Sequence, residues 1–495
     1  MGVVVRQSIK GSIVNYVGLA VSIFSVLFVY PKDLELYGLY NFIIGIAILL
    51  TPFTSLGAGS IAVRYFPVFQ NQERGHGGLL SLALILCLLG NLIFIVLFFI
   101  FQPWLISYYE AKQQGVESYL IYIVPLTLLL SLSAILSNYC LNFHRVAFPL
   151  AVSNLLKIVL PVFFLLVLNN WIDVHGFFYL LVGFSLVQFC IILWYVKKLG
   201  HLFWCHKITI PEGHRFRQIL QYSVFVIFGS LGALFALQID TLMVTNFLGT
   251  QATGKYSLGV FMAASCYVPG AMILNAMLPN ISKNLAENNL YELEKNYKKS
   301  SIAILLPTLF LASGLFVCFL PLRELMVNSE KLNGVASVLT FLIMARVVDG
   351  ATSINGTIIG FSKYYRFDFI FLLLLGTINI GLNFYLIPRY GITGAAFSTF
   401  LSTTIYNVTK SVFIYLKFGL HPFSRKIITI FLIAGLTSVL GFAIPSTGYP
   451  LLDLLVKGAF VAIGFVFLVY KANISMEFNQ LFEKYVFAYI PVRKQ

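Results

Sequence analysis

The chain has 495 residues, of which 59% are hydrophobic and only 10% are charged, and its formal net charge is +15. A soluble globular domain carries roughly 25% charged residues, so this composition excludes a soluble fold and indicates a protein solvated mainly by lipid. The six cysteines are scattered without a CxxC spacing, which argues against a disulfide framework, and no cofactor is predicted.

About fourteen segments are apolar over the roughly 20 residues that a helix needs to cross a bilayer. In chain order we number them predicted helices 1 to 14, and they lie at 11–30, 38–62, 79–101, 119–140, 149–168, 177–196, 219–246, 254–279, 299–319, 333–360, 367–387, 392–416, 427–444 and 450–470. The connections are short and rich in proline and glycine, and none is long enough for a catalytic domain. The predicted fold class is therefore all-α, a polytopic membrane protein.

Lys and Arg are distributed unequally between the two sides of the predicted membrane. Most of the 33 such residues lie near the N-terminus, after predicted helices 2, 4, 6, 8, 10 and 12, and in the C-terminal tail. The opposite side holds Lys32, Lys112, Lys255, Arg323, Lys331 and Arg389. The positive-inside rule therefore predicts that both termini are cytoplasmic. This topology explains the net charge, so no nucleic-acid partner is predicted.

Three polar segments on the predicted cytoplasmic side have the composition of interfacial regions, and they lie at 199–210, 285–297 and 476–490. The last has apolar residues at helical spacing and is expected to lie on the membrane surface. A solvated linker is the alternative for each of them.

Two short matches indicate an internal repeat. Residues 6–9 (RQSI) match 217–220 (RQIL), and 38–40 (GLY) match 254–256 (GKY). Six predicted helices separate the members of each pair, and an even number of helices preserves orientation. The halves are therefore predicted to be parallel repeats, a common transporter plan with the substrate site between the halves.

The repeat predicts five parts of the chain. They are an N-terminal six-helix lobe (1–198), a cytoplasmic inter-lobe linker (199–218), a C-terminal six-helix lobe (219–420), helices 13 and 14 (421–470) and a cytoplasmic amphipathic tail (471–495). Helices 13 and 14 fall outside the repeat, so we expect them to add a function such as holding a lipid tail.

Charged residues inside predicted helices are costly in lipid and usually face a cavity or a partner. Lys157 lies nine residues into helix 5, with Asn154 one turn earlier on the same face. We expect Lys157 to contact an anion in a cavity, with a structural pair as the alternative. Arg346 lies in the middle of helix 10, where Asp349 at i+3 either pairs with it or positions it towards the cavity.

Other candidates lie nearer to helix ends. Lys410 is close to the cytoplasmic end of helix 12, three residues after Asn407, and snorkelling is its alternative role. Arg64 ends helix 2, where a loop cation is the default interpretation. Asn355 follows Arg346 along helix 10 and is expected to line the same cavity. Asp240 in helix 7 is a candidate for carrying a coupling H+ or Na+, for pairing with a cation, or for capping a helix break.

Cations outnumber carboxylates among these candidates. The cations are Lys157, Arg346, Lys410 and Arg64, and the carboxylates are Asp240 and Asp349. A positive cavity with low-dielectric walls attracts anions, and Lys and Arg bind phosphate oxygens by charge-assisted hydrogen bonds. The sequence therefore predicts a phosphate- or pyrophosphate-bearing substrate.

Enzyme motifs are missing from the sequence. It contains no GxxxxGK[ST], HExxH or GxSxG, so neither an ATPase, a zinc protease nor a serine hydrolase is predicted. His201, Cys205, His206 and His214 cluster after helix 6, but their spacing suits no standard zinc site, and no metal is predicted.

Four motifs together are similar to a known family. They are 6–12 (RQSIKGS), 57–67 with its GAG and RYFP ends, the Asp240-Thr241 element followed by Gly249 and 254–256, and 388–396 (PRYGITGAA). In order and spacing, over essentially the whole chain, the sequence resembles the Wzx-type polysaccharide flippases of the MOP (MATE-like) exporter superfamily.

This resemblance implies 14 helices, with two six-helix lobes around a V-shaped cavity and two added helices. It implies that the substrate is a polyprenyl-diphosphate-linked oligosaccharide, such as an O-antigen (lipopolysaccharide), capsule or exopolysaccharide unit. The substrate would be turned across the bacterial inner (plasma) membrane by alternating access, in a monomer surrounded by membrane lipid. The family's cationic central cavity would correspond to Lys157 and Arg346.

Three alternatives stay open. A cation-coupled multidrug or metabolite exporter of the same fold predicts an acidic cavity, and the surplus of cations argues against it. A peptidoglycan lipid flippase is poorly distinguished by sequence from a polysaccharide flippase. A membrane glycosyltransferase, polymerase or ligase needs a large outer loop with catalytic residues, and the predicted outer loops are short.

Overall fold

The structure is a computed structural model that describes residues 3–69, 75–110, 115–143, 145, 147–200, 202 and 216–483. Within these ranges every regular element is a helix, and no β-strand occurs. The chain divides into two compact units, Met1–Gly254 and Lys255–Gln495. Two of the predicted interfacial segments, 199–210 and 476–490, lie partly outside the described residues. The cluster of His201, Cys205, His206 and His214 lies outside them entirely.

Nine α-helices lie in the first unit. They are α1 (Val3–Phe28), α2 (Leu34–Thr54), α3 (Ala58–Arg64), α4 (Phe66–Phe69), α5 (Leu79–Glu110), α6 (Ile123–Leu141), α7 (Ala147–Leu168), α8 (Val174–Lys198) and α9 (Phe216–Leu248), as far as the described residues extend.

The second unit starts just inside α10, which spans Thr250–Ala286. The helices that follow are α11 (Leu290–Leu325), α12 (Val335–Thr352), α13 (Asn355–Phe361), α14 (Tyr365–Phe418), α15 (Arg425–Ala443), α16 (Pro450–Lys471) and α17 (Met476–Phe482). The predicted division into lobes 1–198 and 219–420 stays a prediction.

Twelve helices in the described part of the chain are long and apolar enough to cross a bilayer. One of them, α14, has 54 residues, which is about 81 Å at 1.5 Å per residue and far exceeds a hydrocarbon core of about 30 Å. Its backbone is non-helical at Gly391 (φ 60°, ψ −142°), so α14 consists of predicted helices 11 and 12. The 33-residue α9 corresponds to predicted helix 7. The prediction of an all-α, polytopic membrane fold is confirmed.

Predicted helix 2 is interrupted near its end, which the sequence analysis did not anticipate. Leu56 and Gly57 have positive φ values of 47° and 67°, and they separate α2 from α3. A positive φ breaks the backbone ladder and frees polar groups that lipid cannot satisfy. Neighbouring side chains satisfy them: Asn91 of α5 donates to the Thr54 carbonyl at 3.3 Å, and the Ser223 hydroxyl of α9 donates to the Leu56 carbonyl.

Predicted helix 10 is interrupted in the same way, at Ser353, whose φ is 46°. This residue separates α12 from α13. Ser301 of α11 donates to the Ala351 carbonyl, and the hydroxyls of Ser300 and Ser353 lie 2.8 Å apart. In both units, therefore, serine side chains of a neighbouring helix bond to backbone carbonyls beside the interruption, and in the first unit Asn91 does so as well.

The two glycines of the predicted repeat occupy equivalent positions in a close helix crossing within the first unit. A Cβ on Gly38 of α2 would lie 1.8 Å from the Thr250 carbonyl oxygen, and a Cβ on Gly254 would lie 2.0 Å from the Leu34 carbonyl oxygen. Thr250 precedes Gly254 by four residues, as Leu34 precedes Gly38. The contact is therefore reciprocal, which explains why glycine is required at both matched positions.

Candidate functional site

Lys157 lies in the middle of α7, ten residues after its start in a helix of 22 residues. The helix packs against α1, where Gly18 lies opposite: a Cβ on Gly18 would come within 3.3 Å of the Lys157 Cδ. The side chain is exposed, and within the described part of the chain no carboxylate forms an ion pair with it. Lys157 is therefore a cation in a membrane helix for which the described residues supply no counter-charge.

Asn154 lies one turn before Lys157 on the face that meets α1. Its Nδ2 donates to the Asn15 Oδ1 at 3.1 Å and to the Leu150 carbonyl at 2.8 Å. Its Oδ1 is buried and receives no hydrogen bond from the described residues. A Cβ on Gly18 would lie 2.8 Å from this oxygen. Gly18 thus leaves space for the Asn154 amide oxygen and for the alkyl part of the Lys157 side chain.

Arg346 and Asp349 of α12 form an ion pair, with Nη1 3.2 Å from Oδ2 and the side chains 30% and 25% exposed. Asn407 of α14 donates to the other Asp349 oxygen at 2.9 Å. Its own amide oxygen accepts from Asn355 at 2.9 Å and from Thr352 at 3.0 Å. Both pairing and positioning of Arg346 are compatible with this geometry, because a guanidinium carries five donors and Asp349 engages one.

Lys410 pairs with a residue that the sequence analysis did not select. Its Nζ lies 2.6 Å from Oδ1 of Asp368, near the start of α14, and 2.5 Å from the Tyr406 hydroxyl. The Lys410 side chain is only 3% exposed, whereas that of Asp368 is 29% exposed. Gly356 of α13 makes room for the ammonium, since a Cβ there would lie 2.9 Å from Nζ. The structure thus gives Lys410 a buried ion pair in place of a snorkelling position.

The remaining candidates lie in the first unit. Arg64 is the last residue of α3, and its guanidinium lies over the ring of Tyr222 at 4.3 Å from the centroid. Asp240 is buried in α9. Their roles in substrate binding and ion coupling stay predictions.

The structure therefore forms two separate groups from the predicted residues. Lys157 and Asn154 lie together on α7, in the first unit. Arg346, Asp349, Asn355 and Asn407 form one hydrogen-bonded network in the second unit, beside the Lys410 ion pair. Sequence reasoning missed Asn15, Thr352, Asp368 and Tyr406. The i, i+3 spacing revealed the Arg346 partner, but only packing brings Asp368 to Lys410.

Solved structures with a similar fold include two membrane transporters. The chain is similar to the lipid II flippase MurJ in an inward closed conformation, with 15% identity, coverage of 95% of this chain and 100% of that one, and a TM-score of 0.72. It is also similar to an inward-facing multidrug resistance MATE family transporter of the MOP superfamily, with 14% identity, coverage of 85% and 98%, and a TM-score of 0.63.

Sequence comparison finds a relative and a family. An uncharacterised membrane protein of Methanocaldococcus jannaschii is 22% identical over 424 residues, which covers 81% of this chain and 82% of that protein. The family model described as polysaccharide biosynthesis protein matches residues 12–285, more than half of the chain. The chain therefore belongs to the polysaccharide biosynthesis protein family and has a MurJ- and MATE-like fold.

Proposed function

We propose that this protein is a flippase that moves a polyprenyl-diphosphate-linked oligosaccharide across the membrane by alternating access. The family and the transporter fold support a flippase of the MOP type. The nature of the cargo rests on the cations that the membrane helices hold.

Lys157 is the observation that carries this proposal. An ammonium group at the depth of Lys157 is costly in lipid unless an anion or water compensates it, and no described carboxylate does so. A diphosphate offers a strong compensating charge, with charge-assisted hydrogen bonds to Nζ.

Arg346 supplies a second contact of the same kind. Asp349 fixes its orientation through one guanidinium nitrogen, and the side chain stays 30% exposed. The remaining N–H groups match the oxygens of a phosphate, which Arg binds in a planar, bidentate way. In the proposed cycle the two cations bind the diphosphate from the inner leaflet and release it when the outer gate opens.

The rest of the transport cycle follows from the same assignment. The prenyl tail stays in lipid along α15 and α16, which expose apolar side chains such as Leu432, Val439 and Ile463.

Cytoplasmic termini and a monomeric state are part of this proposal. The driving force is an H+ or Na+ gradient acting through Asp240 or Asp349, or consumption of the product outside. No covalent bond changes, so the protein acts as a transporter and not as an enzyme.

The similarity to the lipid II flippase favours a second cargo of the same chemical class. Expression in two strains separates the two: one strain lacks its O-antigen flippase, and the other is depleted of its lipid II flippase. We expect restored surface polysaccharide in the first strain and no restored growth in the second. The opposite result would assign lipid II as the cargo.

Variants of the two cations test the anion site in the rescued strain. Lys157→Ala and Arg346→Ala should each abolish rescue while protein levels hold. Lys331→Ala serves as a matched control, because Lys331 is an exposed lysine outside the spanning helices. Full rescue by the Lys157→Ala, Arg346→Ala double variant would refute the assignment.

A further inference from the structure

A polar cavity of about 460 Å³ lies in the second unit, where the ends of α10, α11, α13 and α14 meet. Its polar lining consists of Ser282, Asn288, Ser362, Lys363, Tyr364 and Lys417. Small-molecule sites commonly have volumes of about 300–1,000 Å³, so the space suits a ligand the size of a lipid headgroup. None of these residues belongs to the candidate transport site.

Three separate loops build this cavity. They follow predicted helices 8, 10 and 12, which the distribution of Lys and Arg places on the cytoplasmic side. Part of the lining, Leu285 to Leu290, belongs to a segment that the sequence analysis identified as interfacial. The cavity therefore lies at the level of the cytoplasmic headgroups, at the end of the helices and not in their middle.

Two lysines converge on one aromatic ring inside the cavity. The Nζ of Lys363 lies 5.3 Å from the ring centroid of Tyr364, and that of Lys417 lies 5.8 Å from it. The ring is held by edge contacts with Phe413 and Phe418, at centroid distances of 5.6 and 5.7 Å. Both ammonium groups thus lie within 6 Å of the centre of one packed ring.

The positive charge of the cavity is not neutralised by the described carboxylates nearby. Glu287, Glu292 and Glu294 of the neighbouring segments pair with other lysines, at 3.8, 3.1 and 2.5 Å. Neither Lys363 nor Lys417 forms an ion pair within the described ranges. Two unpaired ammonium groups that share one cavity repel each other, and a shared anion relieves this repulsion.

We propose that this cavity binds the phosphate of an anionic phospholipid headgroup from the cytoplasmic leaflet. Lys363 and Lys417 contact the phosphate, and the hydroxyl and amide groups of Ser282 and Asn288 lie within the same space for the glycerol portion. Basic pockets between helices on the cytoplasmic side are a recurrent form of lipid-headgroup site. The proposal does not depend on which cargo the protein carries.

Native mass spectrometry of the full chain, released from phosphatidylglycerol or phosphatidylcholine nanodiscs, measures this binding. We expect phosphatidylglycerol to be retained and phosphatidylcholine to be lost. Each lysine near an anionic surface contributes about 1 kcal/mol, or about fivefold, so Lys363→Gln with Lys417→Gln should weaken phosphatidylglycerol binding by about thirtyfold. The arginine pair Lys363→Arg with Lys417→Arg should retain it.

The control is the pair Lys295→Gln with Lys298→Gln, which removes the same charge from two lysines of α11 that already have glutamate partners. It should leave phosphatidylglycerol binding unchanged. Equal losses in the two pairs, or no loss in the cavity pair, would overturn the proposal. Soluble glycerophosphoglycerol competing as well as the lipid would show that the site takes a free phosphate ester instead.

Discussion

The buried ion pair between Lys410 and Asp368 gives an asymmetric prediction for stability. Removing one partner of a buried pair costs about 3–5 kcal/mol, mostly because the other charge stays buried without compensation. In this pair the lysine is 3% exposed and the aspartate 29% exposed. Asp368→Leu should therefore cost about 3 kcal/mol, because it leaves the buried ammonium. Lys410→Met should cost about 1 kcal/mol, because water can still reach the carboxylate.

The double variant Asp368→Leu with Lys410→Met leaves no buried charge at this position. Replacing both partners of a buried pair by apolar residues is often neutral, so the double variant should be at least as stable as Asp368→Leu alone. The two changes should then be non-additive by at least about 1 kcal/mol, as residues in direct contact commonly are. Unfolding by sodium dodecyl sulfate in mixed micelles gives the free energies for this double-mutant cycle.

Two results would refute this reasoning. One is an Asp368→Leu variant that is no less stable than Lys410→Met, and the other is strict additivity in the double variant. The same double variant also tests the predicted substrate contact of Lys410. If it is stable and still transports, Lys410 serves the fold and not the substrate.

Three further substitutions test packing around the candidate site. Gly18→Ala should reduce transport at least tenfold without changing any charge, because its methyl group would lie 2.8 Å from Asn154 Oδ1 and 3.3 Å from Lys157 Cδ and would push these two side chains away. Gly183→Ala, with nothing within 4 Å of its Cβ, is the control in the same transport assay. Gly38→Ala should lower the thermal unfolding temperature strongly or abolish folding, since the methyl would lie 1.8 Å from the Thr250 carbonyl oxygen. An unchanged unfolding temperature would contradict the close crossing of α2 and α10. Asn407→Leu should cost about 2–4 kcal/mol in the same detergent titration, because it removes three side-chain hydrogen bonds and leaves the amide of the buried Asn355 without this partner. A cost below about 0.5 kcal/mol would argue against the network.

The sequence predicted the architecture well because a helix needs about 20 apolar residues to cross a bilayer, so long apolar segments mark the spanning helices. The break at Gly391 is an example, since proline and glycine punctuate the sequence where α14 turns. The interruptions at Leu56 and Ser353 could not be predicted, because neither residue type demands a positive φ. They depend on hydroxyl and amide groups from helices that are distant in the sequence.

The candidate site was only partly predictable for a related reason. Arg346 and Asp349 lie on adjacent turns of one helix, so spacing alone indicated their pairing. Asp368 and Lys410 are 42 residues apart, and no periodicity relates them. Hydrophobic patterning locates charges along a helix, but the choice of partner for a charge is made by the packing of helices against each other.

The interrupted helices also have a consequence for motion inside each unit. Bending an intact helix requires the loss of backbone hydrogen bonds, whereas at Leu56 and Ser353 those bonds are already replaced by side-chain bonds from neighbouring helices. Exchanging one hydroxyl partner for another requires little free energy. The short helices α3 and α13 can therefore rotate as rigid units about the interruptions at Leu56 and Ser353. Because Gly356 of α13 packs against the Lys410 ammonium, the ion pair between Lys410 and Asp368 would hold α13 in place as long as it is intact.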